Sequence, residues 1–242
     1  MDCTLATTGT RPGGDVIAEP QRPRLPLADG SGTFPVRRIY CVGRNYADHI
    51  REMGGDERDP PFFFQKPTDA IVLDGSSIDY PSDTDDLQHE VELVLAIGTA
   101  GERIGIDAAA RHLFGFAVGI DLTRRDRQIE ARKAGRPWEI GKSFDHSAPC
   151  GALTRCAAAP LPTSDNLCLA VNGTVRQSGK PSQMIWNASE LLSRLSRQYR
   201  LVPGDLIFTG TPAGVGPVRP GDRLDAWLGD RARLSIHIRS EG

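Results

Sequence analysis

The alternation of apolar and polar side chains is clearest over residues 90–97, where Glu-Val-Glu-Leu-Val-Leu-Ala-Ile predicts a β-strand. One face of this strand carries four aliphatic side chains, Val91, Leu93, Leu95 and Ile97. The opposite face carries two acids and two apolar residues, Glu90, Glu92, Val94 and Ala96. We therefore expect the first face to lie in the core, with two carboxylates side by side on the non-core face.

Other apolar runs predict short strands and a few helices. Strands are predicted at residues 38–42, 62–66, 116–120, 167–171 and 206–208, and in the alternating tail 234–238. A period of about 3.6 residues predicts the clearest helix over residues 182–199, and shorter helices are predicted at 46–53, 107–113 and 125–134. Many short strands with few helices indicate an α+β fold rich in β-structure.

The two ends of the chain differ in composition. Residues 1–33 are rich in Gly, Pro, Thr and Asp, so we expect an extended N-terminal arm that frays or lies across the body or a partner subunit. Residues 34–242 carry dense apolar patterning without an interior linker. We expect that segment to form a single domain.

Charge and cysteine content exclude several classes of protein. The 242 residues carry 29 Lys and Arg against 31 Asp and Glu, and no basic stripe with interleaved aromatics appears, so we expect no nucleic-acid partner. Apolar stretches fall short of the roughly 20 residues of a membrane helix, and the first residues do not resemble a secretory signal, so we expect a cytoplasmic protein without membrane contact. Five cysteines without a Cys-x-x-Cys pair predict reduced thiols rather than a disulfide framework or a zinc site.

Three acids could form a metal site. Asp121 ends an apolar strand, where a carboxylate is costly unless it is paired or bound to a metal. Glu90 and Glu92 would repel each other on one strand face, and a divalent cation would remove that repulsion. Oxygen-only ligands favour Mg²⁺, Mn²⁺ or Ca²⁺ over Zn²⁺. Spacing alone leaves an alternative open, namely a solvent-facing strand with two acids and an Asp in a turn.

Further candidates lie in other predicted elements. His49 and Glu52 share a face of the predicted helix 46–53, where the carboxylate could raise the basicity of the imidazole; the alternative is an incidental surface pair. Lys66 and Lys142 lie in apolar or Gly-rich surroundings, where they could bind an anion or simply reach solvent. The loop at 209–216 is Gly-rich enough to bring backbone close to a ligand, although turn geometry explains it equally well.

Six motifs, in this order along the chain, resemble the fumarylacetoacetate hydrolase family, and most closely its acylpyruvate and fumarylpyruvate hydrolase branch. They lie at residues 40–49, 64–67, 89–93, 119–128, 137–144 and 204–216. The resemblance covers roughly residues 34–240. It implies a mixed β-roll fold for one catalytic domain, a homodimer, and a divalent metal that is usually Mg²⁺ or Mn²⁺, with Ca²⁺ as a substitute in crystals.

The resemblance also implies roles for individual residues. The matching metal ligands are Glu90, Glu92 and Asp121. His49 and Glu52 match a dyad on a lid segment that activates water, and Lys142 matches the lysine beside the metal-bound keto acid. Substrate-contacting positions match Arg125, Gln128, Thr209, Gly210 and Thr211. Lys66 matches a pocket lysine, and Arg44 is our candidate for binding the far carboxylate of a fumaryl group.

The implied activity is hydrolysis of the C–C bond of an acylpyruvate, in the closest case fumarylpyruvate to fumarate and pyruvate in gentisate-type aromatic catabolism. Water activated by His49 attacks the distal keto carbon, and the enolate of pyruvate leaves beside the metal and Lys142. Two alternatives stay open at this point. One is a metal-dependent decarboxylase or isomerase of oxaloacetate or a related 2-oxo diacid; the other is a protein that binds metal-chelated keto acids without turning them over.

Overall fold

The structure is a computed structural model that describes residues 21–46, 60–156 and 160–240. Its strands, in chain order, are β1 (Arg24–Pro26), β2 (Thr33–Pro35), β3 (Arg38–Gly43), β4 (Phe62–Lys66), β5 (Ile71–Val72), β6 (Ser77–Ile78), β7 (Leu87–His89), β8 (Val91–Ile97), β9 (Leu113–Ile120), β10 (Thr123–Arg124), β11 (Ala148–Pro149), β12 (Thr154–Arg155), β13 (Leu167–Val171), β14 (Thr174–Gly179), β15 (Asp205–Phe208), β16 (Gly216–Pro217), β17 (Arg223–Leu228) and β18 (Ala232–Ile238). The α-helices of this part are α1 (Arg125–Lys133), α2 (Glu139–Lys142) and α3 (Ala188–Gln198). Short 3₁₀ helices form at Thr68–Ala70, Ile106–His112 and Pro181–Gln183.

Two sheets carry most of the fold. The larger has six strands in the order β12-β9-β8-β15-β3-β4, in which β15 is parallel to β3 and the other pairs are antiparallel. The second has five strands in the order β14-β13-β17-β18-β6. This mixed, β-rich architecture with a few short helices confirms the predicted α+β fold class.

The six-stranded sheet is buried on both faces. On one face, Leu93 and Leu95 of β8 join a core cluster with the five-stranded sheet and α3. On the other face, Val94 and Ala96 join a second cluster that includes Phe208. The prediction that Val94 and Ala96 lie on a non-core face was therefore wrong, because another layer of the protein covers that face. Only at the start of β8 does this face carry the acids Glu90 and Glu92, which belong to the acidic cluster and not to the second core cluster.

That second layer includes residues predicted to form the N-terminal arm. Strands β1 and β2 pair as an antiparallel hairpin, and Leu25 and Leu27 are buried in the second core cluster. The expected boundary between residues 33 and 34 falls inside β2, and Leu25 and Leu27 anchor the segment before it on the body of the domain. Residues 1–20 lie outside the described residues.

The helices differ from the predicted ones mainly where they begin. Helix α3 begins at Ala188 rather than near Ser182, because Asn187 caps it and Pro181 starts a separate 3₁₀ turn. The predicted helix at 107–113 is the 3₁₀ helix Ile106–His112, and the one at 46–53 lies, apart from Tyr46, outside the described residues. No helix in the described ranges has both the length and the apolar character needed to cross a bilayer.

The capping box of α3 generates a stability prediction. The Asn187 side chain accepts hydrogen bonds from the backbone N–H groups of Ser189 and Glu190 at 3.0 and 3.1 Å, and Glu190 accepts one from the Asn187 N–H at 2.9 Å. We expect Asn187→Ala to lower the free energy of unfolding by about 1 kcal/mol, measured by urea denaturation. Asn187→Asp keeps the acceptor and is the control. An equal loss in both variants would contradict a capping role.

Candidate metal and substrate site

Three buried carboxylates meet at one edge of the six-stranded sheet. Glu90 directly precedes β8, Glu92 is its second residue, and Asp121 directly follows β9. Because β8 and β9 are antiparallel, the start of one lies beside the end of the other, and the Asp121 N–H donates to the Glu90 carbonyl at 2.8 Å. Each residue is at most 5% exposed, and one carboxylate oxygen from each lies within 4.8 Å of the others.

Lys142, the last residue of α2, lies between two of these carboxylates. Its ammonium donates to Glu90 Oε2 at 2.8 Å, to Asp121 Oδ2 at 2.7 Å and to Thr123 Oγ1 at 2.7 Å. Burial alone would lower the pKa of Lys142, but the charges of Asp121 and Glu90 outweigh burial and raise that pKa above its ordinary value. The lysine is therefore a protonated, three-bond donor in the centre of the site.

Lys66 and Arg125 add two more buried cations. Lys66 Nζ lies 2.9 Å from Asp121 Oδ1 and also donates to the carbonyls of Leu122, at 3.1 Å, and Lys142. The Arg125 guanidinium forms an ion pair with Glu90 Oε1. Within the described part of the chain, three carboxylates thus face three cations, as burial of this many charges requires.

Of the three carboxylates, Glu92 interacts least with these cations. No lysine or arginine nitrogen of the described ranges lies within ion-pair distance of it, and its Oε2 accepts a hydrogen bond from the Gly210 N–H at 2.7 Å. Burial raises the pKa of the Glu92 carboxyl well above its usual range, and the negative charges of Asp121 and Glu90 raise it further. A divalent cation among the three oxygen ligands would relieve this repulsion, so the residues present fit such an ion.

The Gly210 backbone can reach Glu92 only because the residue is glycine. Its φ is +94°, and a Cβ there would lie 2.7 Å from Cβ of Asn45. Asn45 in turn donates to the Thr209 carbonyl at 2.8 Å and holds the loop in place. The loop that follows β15 is therefore shaped to place a hydrogen-bond donor on Glu92.

The structure separates the predicted substrate residues into two groups. Arg44, Arg125, Gln128 and Thr211 line the cleft that opens on the three carboxylates, together with Phe64 and Trp138. By contrast, Lys66 is buried behind Asp121, and the Thr209 hydroxyl donates to the Leu93 carbonyl at 2.9 Å. These two side chains do not line the cleft and instead form hydrogen bonds beneath it.

The predicted water-activating dyad, His49 and Glu52, lies outside the described residues. Sequence reasoning also missed one residue, Gln177, which is the only buried member of β14 and contacts both His89 and Thr211. The sequence gives no signal for it, because Gln177 is one polar residue in a strand of mostly polar and exposed residues.

Comparison with known proteins agrees with this geometry. The family model described as fumarylacetoacetate (FAA) hydrolase C-terminal matches residues 38–239. The crystal structure of fumarylpyruvate hydrolase from Pseudomonas aeruginosa in complex with Mn²⁺ and pyruvate is 47% identical, with a TM-score of 0.90 over 94% of this chain and 100% of that chain.

Two curated relatives carry other activities in their names. Mitochondrial oxaloacetate tautomerase FAHD1 of Mus musculus is 43% identical over 192 residues, which are 79% of this chain and 87% of that protein. Mitochondrial oxaloacetate decarboxylase of Dictyostelium discoideum is 39% identical over 187 residues, 76% of this chain and 85% of that protein. With the matching family model, the fold and the buried acidic cluster, these similarities establish that the chain belongs to the fumarylacetoacetate hydrolase family.

Proposed function

We propose that this protein is a metal-dependent hydrolase that cleaves fumarylpyruvate into fumarate and pyruvate, as a cytoplasmic homodimer in aromatic catabolism through gentisate. The observation that carries the proposal is the triad Glu90, Glu92 and Asp121 with the Lys142 ammonium between two of its members, at the base of a cleft. The similarity to a fumarylpyruvate hydrolase that holds Mn²⁺ and pyruvate supports it.

The three carboxylates would hold Mg²⁺ or Mn²⁺, the ions that suit an all-oxygen ligand set. A bound divalent ion supplies Lewis acidity that polarises a keto oxygen and stabilises negative charge developing on it. The charges of the described site favour an anionic substrate. Lys66, Lys142 and Arg125 already balance the three carboxylates, so the two positive charges of a bound divalent ion would attract the carboxylate of a 2-oxo acid.

The reaction places clear demands on the protein's own groups. His49, oriented by Glu52, would take a proton from the water that attacks the distal keto carbon of fumarylpyruvate. The C3–C4 bond then breaks, its electron pair goes to C3, and the pyruvate enolate forms before C3 is protonated. Lys142 would donate one of its hydrogen bonds to that enolate, in a site where burial makes such a bond strong.

Arg44 is the proposed partner of the far carboxylate. It is half-buried, lines the cleft and directly follows Gly43, the last residue of β3. Its φ of +59° is unusual for a residue with a side chain, and this backbone conformation is part of how the chain turns at the cleft. A guanidinium there suits a carboxylate at the end of an extended acyl group.

A second candidate function keeps the site and changes the reaction. The relatives from Mus musculus and Dictyostelium discoideum are named as an oxaloacetate tautomerase and an oxaloacetate decarboxylase. Tautomerisation can pass through the enolate of oxaloacetate, and decarboxylation through the enolate of pyruvate after CO₂ has left; the triad and Lys142 would stabilise either enolate of a 2-oxo acid. Neither reaction consumes water, so hydrolysis differs from both in needing a base that activates water, the role that the family resemblance implies for His49 and Glu52.

The first prediction from the proposed function concerns the reaction itself. We expect the purified protein with Mg²⁺ or Mn²⁺ to consume fumarylpyruvate faster than acetylpyruvate without releasing CO₂, and EDTA to stop the reaction. Loss of the diketone enol absorbance, with CO₂ followed in parallel, measures this. Glu90→Gln removes one proposed ligand charge and should lower kcat at least about 100-fold even at saturating Mg²⁺.

Two other results would each indicate a different function. Inactivity on both diketones with CO₂ release from oxaloacetate would identify a decarboxylase. Oxalate binding without turnover of any of these compounds would identify a binding protein.

The second prediction concerns Lys142 and the metal. We expect Lys142→Met to bind Mn²⁺ at least about tenfold more tightly than the wild type, because the ammonium no longer competes for Glu90 and Asp121, and to lose most of its activity. Calorimetric titration with Mn²⁺ measures the affinity. Lys133→Met, at an exposed position of α1, is the matched control. Weaker Mn²⁺ binding by Lys142→Met would instead assign the lysine to holding the carboxylates in place.

The third prediction tests Arg44. We expect Arg44→Ala to lower kcat/KM for fumarylpyruvate about 10–100-fold, the value of a lost charged hydrogen bond, and to change kcat/KM for acetylpyruvate less than about threefold. Arg103→Ala is the matched control, since Arg103 also has a left-handed φ, of +49°, and does not line the cleft. An equal loss of kcat/KM on both substrates would show that Arg44 does not bind the far carboxylate of fumarylpyruvate.

A further inference from the structure

The buried side chain of Gln177 joins two parts of the site that are far apart in sequence. Its Oε1 lies 2.8 Å from His89 Nδ1 and accepts a hydrogen bond from the Val91 N–H at 3.0 Å. Its Nε2 donates to Thr211 Oγ1 at 2.8 Å and to the Pro212 carbonyl at 2.9 Å. Gln177, 1% exposed, therefore connects the residues on either side of Glu90 to the loop that holds Glu92.

The orientation of this amide follows from its backbone partners. The Val91 N–H can only donate, so the atom facing it must be the amide oxygen. The Pro212 carbonyl can only accept, so the atom facing it must be the amide nitrogen. It follows that His89 carries its proton on Nδ1 and that Thr211 Oγ1 receives a hydrogen bond from Gln177.

Receiving this bond determines where the Thr211 hydroxyl can donate. A threonine hydroxyl has one proton, and within the described residues that of Thr211 has no acceptor, whereas Thr209 gives its proton to the Leu93 carbonyl at 2.9 Å. Thr211 lines the cleft with Glu90, Glu92 and Asp121. With Gln177 acting as donor on one side, the hydroxyl is left to donate toward the cleft.

We propose that Gln177 is a positioning residue that orients the Thr211 hydroxyl as a hydrogen-bond donor to the carboxylate or keto oxygen of a 2-oxo acid. Such a ligand presents only acceptor oxygens, so a hydroxyl that pointed its proton elsewhere would repel it. Gln177 would act through Thr211 and would not touch the ligand. The inference rests on the proposed function in one respect, the 2-oxo acid as the class of ligand.

Gln177→Glu tests the polarity of this contact while nearly keeping the shape of the side chain. A carboxylate still accepts from His89 and Val91, and it also accepts the Thr211 proton and so turns the hydroxyl away from the cleft; it loses the bond that Gln177 donates to the Pro212 carbonyl. We expect an approximately 10–100-fold weaker binding of oxalate to the Mn²⁺-loaded protein, measured by calorimetry, and a similar loss of kcat/KM. Gln198→Glu adds the same charge at an exposed position of α3 and serves as the control.

A double-mutant cycle separates orientation from general support of the fold. Thr211→Val removes the hydroxyl, and we expect it to weaken oxalate binding by the same factor as Gln177→Glu. The double variant should be no more than about threefold worse than either single variant, because both changes remove one donor. Thr211→Ser keeps the hydroxyl and should recover most of the affinity. Effects that multiply in the double variant would overturn the inference.

Two further measurements keep the test decisive. If Gln177→Glu does not fold, as judged by circular dichroism, Gln177→Met replaces it in the same cycle. Methionine removes the orienting donor without accepting the Thr211 proton, so we expect a smaller loss of oxalate affinity than for Gln177→Glu, and no such loss in the Thr211→Val background. A wild type that binds oxalate but cleaves neither fumarylpyruvate nor oxaloacetate would refute the proposed function. The double-mutant cycle of Gln177 and Thr211 would still be measured by oxalate binding and would still test the inference. A wild type that does not bind oxalate would overturn both.

Discussion

The structure of the site depends on one electrostatic constraint, the burial of three carboxylates within 4.8 Å of one another. Such a cluster is unfavourable in a protein interior unless positive charge is placed around it. Lys66, Lys142 and Arg125 supply that charge, each from a different element, and Glu92 is the acid left for a further cation. The arrangement of strands and helices at this edge of the sheet follows from the need to bring these six groups together.

Close backbone approach makes this convergence sterically feasible. Gly210 adopts a left-handed conformation and lets its N–H reach Glu92 past Asn45. Gly141, one residue before Lys142, lets α2 pack directly on α1, since a Cβ there would lie 2.7 Å from the backbone nitrogen of Gln128. Two glycines thus place a metal ligand's hydrogen-bond donor and the central ammonium where the acids require them.

The same site suits several reactions of 2-oxo diacids, and this is consistent with the range of activities named among its relatives. The carboxylate cluster and Lys142 stabilise an enolate whichever bond is broken to form it. What distinguishes hydrolysis is a positioned water and a base to activate it. In the proposed enzyme the reaction class is therefore set by the base that activates water, and the substrate class by the buried charges of the site.

The side-chain pattern predicted β3, β8, β9 and β13 and the residues of the acidic cluster, but it missed β14, β17 and the strands of two or three residues. Side-chain periodicity puts Glu90 and Glu92 on one face of a strand, and an acid that ends an apolar strand stands out. The three-dimensional contacts were needed to show that a second layer buries Val94 and Ala96, that Lys66 and Thr209 form hydrogen bonds beneath the cleft, and that Gln177 joins His89 to Thr211. Periodicity reports which face of its own element a residue occupies, whereas these roles depend on which other element covers that face, and such contacts join residues distant in sequence.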